Sequence, residues 1–195
     1  MHPMSPRAGL GPGAGAGYNS ILMNTSGKGI RLLHLCKTLS PGGTERLVLD
    51  LCRAHHRKVE HLVVASAGGT WEPELQKLGI RHIRVPSTDR KNPLSLFLAY
   101  RKLKAIVQNE GINIIHAHHR QWSALSQWLR VSPRPHLLTT YHYFFPNRER
   151  LTRPADWNVA ISEELGTYLR DLGFPEERTE VIPAAIGLPP TAPPF

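Results

Sequence analysis

The chain has 195 residues, which suits one domain, and 41% of them are hydrophobic, enough for a packed core and too many for global disorder. The formal net charge of +9 favours phosphate-rich partners such as nucleic acid, anionic headgroups or diphosphate-bearing metabolites. The lysines and arginines are scattered rather than gathered in a run, which weighs against nucleic acid.

No apolar run approaches the roughly 18–20 residues needed to span a bilayer. The first residues hold prolines and glycines, with no apolar stretch after a basic start, so they do not read as a secretory signal. Two cysteines, Cys36 and Cys52, are too few for a disulfide framework. They fit a reducing cytoplasm, where both serve as small core residues.

Residues 1–29, with the stretch Gly9 to Gly17, are low-complexity and predict a disordered leader. Patterning starts at Ile30, so Met23 is a candidate start residue. Arg31 to Cys36 predicts a first strand, and Ser40-Pro41-Gly42-Gly43 leads into a helix over Thr44–Arg57. His61 to Ala65 predicts a second strand with its exit at Gly68-Gly69, then a short helix near Pro73–Leu78 and a third strand over Ile80–Val85. Asn92-Pro93 predicts a helix start and Gly111 its stop. Ile112 to Ala117 is the fourth predicted strand, followed by a helix near Gln121–Leu129 and a fifth strand over His136–Tyr141. Trp157 to Ile161 is the sixth; Ser162 caps a helix to about Leu172, and Glu180 to Ile182 is a last short strand. Residues 30–188 therefore predict one α/β domain, a Rossmann-like doubly wound, mostly parallel sheet. Residues 189–195 have a linker composition.

Such sheets bind ligands beyond the carboxyl ends of their strands, so the loops after strands one, four, five and six carry the candidates. Gly42-Gly43-Thr44-Glu45-Arg46 lets backbone approach a ligand and aims helix N–H groups at an anion, or is a plain strand-to-helix turn. It is neither a dinucleotide fingerprint nor a Walker loop. His142 can hydrogen-bond a sugar or orient an acceptor, or be a loop histidine with no task. The run Tyr141 to Phe145 stacks on sugar, faces lipid, or packs. His116 and His118 share one face of an extended segment, with no cysteine or carboxylate beside them; a polar wall of the cleft is expected rather than a metal site. Ser162-Glu163-Glu164 is explained by helix capping alone.

Taken in order, Gly-Gly-x-Glu, the His-x-His strand end, the histidine after strand five, Val159-Ala160-Ile161-Ser162 and Val181-Ile182-Pro183 make the chain resemble the N-terminal domain of family-four, GT-B-fold glycosyltransferases. The resemblance covers about residues 30–188. It implies an acceptor-holding domain facing a second, donor-binding domain, with retaining transfer and no metal or cofactor; the nucleotide-sugar is a co-substrate. It also implies a hexosyltransferase-type enzyme of cell-envelope glycan or glycolipid synthesis, inactive as an isolated fragment. Carried over, Gly42 and Gly43 line the cleft near the donor phosphates with Thr44 and Glu45 beside them, His116 and His118 contribute to the cleft, His142 lies near the transferred sugar, and Ser162 precedes the sixth-strand helix. The family's Asn-Gly at the domain boundary is Ala184-Ala185 here, which puts a boundary asparagine contact in doubt. Partners expected are a nucleotide-sugar, a sugar or lipid-linked acceptor, and peripheral contact with anionic membrane through Arg101, Lys102, Lys104 and the Tyr143-Phe144-Phe145 loop, without nucleic acid. A non-catalytic acceptor-binding subunit of a split transferase and a fragment of a GT-B-shaped nucleotide-sugar epimerase are the alternatives.

Overall fold

The computed structural model describes residues 29–88, 92–146 and 152–184. The predicted leader, apart from Gly29, and the predicted linker lie outside them. Seven runs form one sheet: β1 Arg31–Leu35, β2 His61–Ser66, β3 Arg81–Arg84, β4 Ile114–Ala117, β5 His136–Tyr141, β6 Trp157–Ala160 and β7 Thr179–Val181. The helices are α1 Gly43–His55, α2 Glu72–Lys77, α3 Pro93–Asn109, α4 Arg120–Gln127 and α5 Glu163–Asp171, with a 3₁₀ turn, Glu176–Arg178, before β7. Every pairing is parallel and the order is β3-β2-β1-β4-β5-β6-β7. The domain is thus an α/β, Rossmann-like doubly wound sheet, as strand-helix alternation predicts.

The central strands are buried on both faces, mostly with apolar side chains, because helices cover both. Leu32, Leu62, Val64 and Ile114 point to α1 and α2, where Val48, Leu49, Cys52 and Leu75 meet them. Leu33, Leu35, Val63, Ile115 and Leu137 point the other way, against Ala99, Leu103, Ile106 and Val107 of α3 and Trp122 of α4. A third cluster joins Tyr141 and Ala160 to Leu165 and Leu169 of α5. Edge strand β3 is different: Arg81 and Arg84 face solvent and pair with Glu110 and Glu72, charges that discourage a further strand from docking.

Helix ends set the strand starts. Asn92 Oδ1 accepts from Leu94 N at 3.0 Å and Pro93 occupies the first turn of α3. Gly111 takes a positive φ of 59°, which lets Ile112 N donate to Val107 O at 3.0 Å and closes the helix. β4 consequently begins at Ile114, two residues after the predicted start.

The chain moves outward from β1 through β2 to β3, then crosses back over α3 to enter β4 on the other side of β1. The order reverses between β1 and β4. The crevice beyond their carboxyl ends is the switch point, where folds of this type bind ligands.

Candidate functional site

The loop after β1 leads to the Gly42-Gly43 turn and the free N–H end of α1. Gly42 is extended and offers no side-chain cap. A Cβ on Gly43 would meet nothing within 4 Å, so the backbone there is bare. The loop is braced from beneath: Leu39 N donates to Gly68 O at 3.0 Å and Trp71 N to Leu39 O at 2.8 Å. Gly69 lies so close that any Cβ would collide with the Leu39 carbonyl. The pair Gly68-Gly69, a strand exit by sequence, is therefore also the shelf that carries the first loop. Glu45, in the first turn of α1, accepts from Thr38 Oγ1 at 3.2 Å and folds back against Gly42. Its charge already serves the helix end, so an arriving phosphate would have to share that end with it. Thr44 is half-buried beside it.

Five histidines form a contiguous array along the sheet. Parallel register sets His34 of β1 beside His116 of β4, with ring centroids 5.0 Å apart. His118 extends β4 by donating its N–H to Leu35 O at 2.9 Å, and its ring lies 4.0 Å from that of His116. His55, from the last turn of α1, stacks on His34 at 6.1 Å, and His142 beyond β5 lies 5.9 Å from His118. His34 Nδ1 and His118 Nε2 share a hydrogen bond at 3.0 Å; His116 Nε2 meets Thr140 Oγ1 at 2.8 Å.

Burial makes these rings hard to protonate. Desolvation, then neighbouring histidines, holds His34 down to about 3, His142 down to about 4, and His116 and His118 well below the ordinary value. At neutral pH all four are uncharged, each with one donor and one acceptor nitrogen. Among the described residues His142 Nε2 has no hydrogen-bond partner. His142 is thus neutral, and its Nε2, closed to solvent here, keeps an unused hydrogen-bonding capacity.

The array also answers where a metal could go. His34, His116 and His118 bring ligand atoms within 4.8 Å of one another, a nitrogen set that zinc accepts. Two of the three are already joined by a hydrogen bond and the third is bonded to Thr140. No carboxylate or cysteine belongs to the group. The contacts describe a hydrogen-bonded core cluster.

His116 and His118 are 5% and 1% exposed, so little of either ring is open to solvent; His116 nonetheless lines an apolar groove near the strand starts, and His118 lies with His142 at a small pocket beyond β5. Of the aromatic run, Tyr141 and Phe145 are buried in the α5 cluster, Phe144 is 52% exposed yet lies with its ring 5.1 Å from that of Tyr168, and Tyr143 is exposed. Strand alternation sends Tyr141 inward, and the turn after His142 brings Phe145 back against Tyr168, with ring centroids 5.3 Å apart.

Ser162 caps α5, its Oγ accepting from Leu165 N at 3.2 Å, which accounts for the serine at that position. At the carboxyl edge, Lys37, Thr88, His119, Gln121 and Tyr143 line a polar depression of about 270 Å³. A 250 Å³ apolar groove lies elsewhere, near the strand starts, between Leu32, His55, Lys58, Ile114 and Leu138. Its lining offers Lys58 as its one cation, so it suits an apolar occupant better than a diphosphate.

Sequence reading missed His34 and His55. His34 looks like a core position in β1; only the parallel register, His34 opposite His116, brings it to the cluster. His55 sits outside the apolar spacing of α1 and carries no motif.

The comparisons agree with this architecture. The family model Glycosyltransferase Family 4 matches residues 41–188. EpsF of Bacillus subtilis (strain 168), which bears a glycosyltransferase name, is 31% identical over 99 residues, 49% of this chain and 25% of that protein. Among solved structures, a glycosyltransferase of Rickettsia africae ESF-5 superposes with a TM-score of 0.59 at 22% identity, over 79% of this chain and 43% of the other. HepE of Anabaena, in complex with UDP and glucose, gives 0.62 at 19% identity, over 79% of this chain and 44% of that one. A UDP-N-acetylglucosamine 2-epimerase of Rickettsia bellii gives 0.57 at 15%, over 79% and 44%. The chain spans less than half of these structures, and their likeness shows a shared fold. With the family model covering the site loops and most of the sheet, the chain belongs to Glycosyltransferase Family 4.

Proposed function

We propose that the chain is the acceptor-side half of a retaining, nucleotide-sugar-dependent hexosyltransferase that builds a cell-envelope glycan or glycolipid. The observation that carries the reading is the switch point itself: the bare Gly42-Gly43 backbone at the N-terminus of α1 and the neutral His142 both lie at the carboxyl edge. The N–H groups of that helix end, shared with Glu45, suit the diphosphate of a donor. His142 suits a sugar hydroxyl, by hydrogen bond and not by charge. In the transfer the acceptor hydroxyl oxygen bonds to the anomeric carbon as the bond to the diphosphate breaks, and the hydroxyl proton passes to the departing diphosphate oxygen. No metal or cofactor takes part in this proposal. A donor-binding domain like that of the family closes the cleft from the far side.

Support comes from the family match and from HepE, whose structure holds UDP and glucose. The test is expression of the chain joined to a donor-binding domain, followed by nucleoside diphosphate release from UDP- and GDP-sugars with lipid-linked acceptors. Acceptor-dependent release is expected. The epimerase likeness supplies a second reading. Epimerisation of UDP-N-acetylglucosamine with no acceptor present would overturn the transferase proposal in its favour.

A further inference from the structure

Helix α3 presents an outward face that the fold does not use. Its inner residues Ala99, Leu103, Ile106 and Val107 are buried on the sheet. Its outer first two turns expose Leu94, Phe97 and Leu98, at 61%, 55% and 48%. The next turn carries Arg101, Lys102 and Lys104, and the helix holds no acidic residue. The Arg101 guanidinium lies 6.0 Å from the Phe97 ring, so the basic groups adjoin the apolar ones directly. Trp128, 67% exposed, is held to the same helix by its carbonyl and the Tyr100 hydroxyl at 3.4 Å.

The position of this face matters. β3 ends and α3 begins at the carboxyl edge of the sheet, and Ser95 Oγ ties the helix start to Ser87 O at 3.0 Å. The next residue, Thr88, lines the 270 Å³ depression with Lys37, His119 and Tyr143. The apolar turns therefore stand at the same end of the molecule as the candidate site.

We propose that the outward face of α3 seats the chain on an anionic lipid bilayer, with Leu94, Phe97 and Leu98 among the acyl chains and Arg101, Lys102 and Lys104 at the phosphates, so that the cleft receives a lipid-anchored acceptor. The spacing suits this. A rise of about 1.5 Å per residue separates the centres of the apolar and basic groups by roughly 9 Å, comparable with the roughly 5–10 Å to which interfacial helices sink. Trp128 adds an aromatic at headgroup level, where tryptophan is favoured. An all-basic collar beside an apolar turn complements an anionic surface; a face made for a second copy of this chain would place cations against cations.

The inference rests on the acceptor-side reading only for the identity of the acceptor. Its test uses no donor and no transfer, so the two can fail separately. The full chain is floated with vesicles of phosphatidylcholine alone and of phosphatidylcholine with phosphatidylglycerol, at low and high salt. Binding to the anionic vesicles, reduced by salt, is expected. Leu94→Asp/Phe97→Asp/Leu98→Asp loses it, and Arg101→Gln/Lys102→Gln/Lys104→Gln lowers partitioning on the order of 10²-fold. Arg57→Gln/Lys58→Gln/Lys77→Gln, which removes as many charges beside α1 and α2 on the opposite sheet face, retains it; circular dichroism confirms that each variant folds. Equal recovery on neutral and anionic vesicles, or undiminished binding by the aspartate variant, overturns the proposal. So does a wild-type dimer in size-exclusion chromatography that the aspartate variant dissociates without any vesicle binding.

Discussion

His34 and His118 lie 84 residues apart in the chain, yet their rings share a hydrogen bond, Nδ1 to Nε2, at 3.0 Å in the interior. Neither ring can take a second proton without losing that bond or charging a site closed to water. The pair couples the first strand to the end of the fourth at the switch point.

Stability is expected to fall as pH falls. In the unfolded chain these imidazoles protonate near pH 6.5, about the ordinary value. In the fold His34 resists until about 3 and His142 until about 4, with His116 and His118 also lowered. The unfolded state therefore binds more protons, and stability present above about pH 6.5 is lost progressively as pH drops towards the folded values. Each group contributes a slope of up to about 1.4 kcal/mol per pH unit. Glu72, held down to about 2 first by its hydrogen bonds to Arg84, adds a loss only below the ordinary carboxylate range. Urea midpoints between pH 7.5 and 5 measure this; a flat profile sinks the idea.

Two neighbouring glycines are expected to behave differently. Gly69→Ala drives a Cβ into the Leu39 carbonyl and displaces the first loop, destabilising the fold by about 1–3 kcal/mol. Gly43→Val faces open space and leaves the melting temperature nearly unchanged. Its effect falls on ligand approach: weaker nucleotide-sugar binding in the two-domain enzyme. Thermal melts of both variants, with calorimetry on the second, separate the roles; a strongly destabilised Gly43→Val would show that the loop is merely structural.

His142→Ala is expected to leave the fold intact and cut turnover of the two-domain enzyme. The residue follows β5, is half-buried, and its Nε2 meets no partner among the described residues. Losing one transition-state hydrogen bond costs roughly 2.7–4 kcal/mol, about 10²–10³ in rate. His118→Ala, in contrast, breaks a buried bond and lowers stability by roughly 1–3 kcal/mol. Wild-type kcat in a folded His142→Ala enzyme would remove this residue from the site.

The chain alone is expected to bind nucleotide-sugar poorly. Its edge depression is shallow and open on one side, whereas good small-molecule sites bury roughly 70–90% of a ligand. Titration of the chain with UDP- and GDP-sugars should show no micromolar association. Micromolar binding would place the main donor contacts on this half.

The sequence by itself determined the domain. Short apolar runs alternating with helical spacing, Asn92-Pro93 at one helix start and Gly111 at its end, predict each strand and helix to within a few residues. They do so because periodicity and caps are local properties of the chain. The Gly42-Gly43 turn and His142 were legible for the same reason: each sits at the end of a predicted strand. Only the tertiary structure decided which histidines meet. His34, His55, His116, His118 and His142 come from four separate segments, and parallel register fixes their contacts across up to 84 residues of sequence. Burial was decided there too. His116 and His118 are buried on the sheet, and after β5 Phe145 is buried while Phe144 stays half exposed. Side-chain alternation names two faces for every strand, but which face a helix covers follows from the handedness of crossovers between strands distant in the chain.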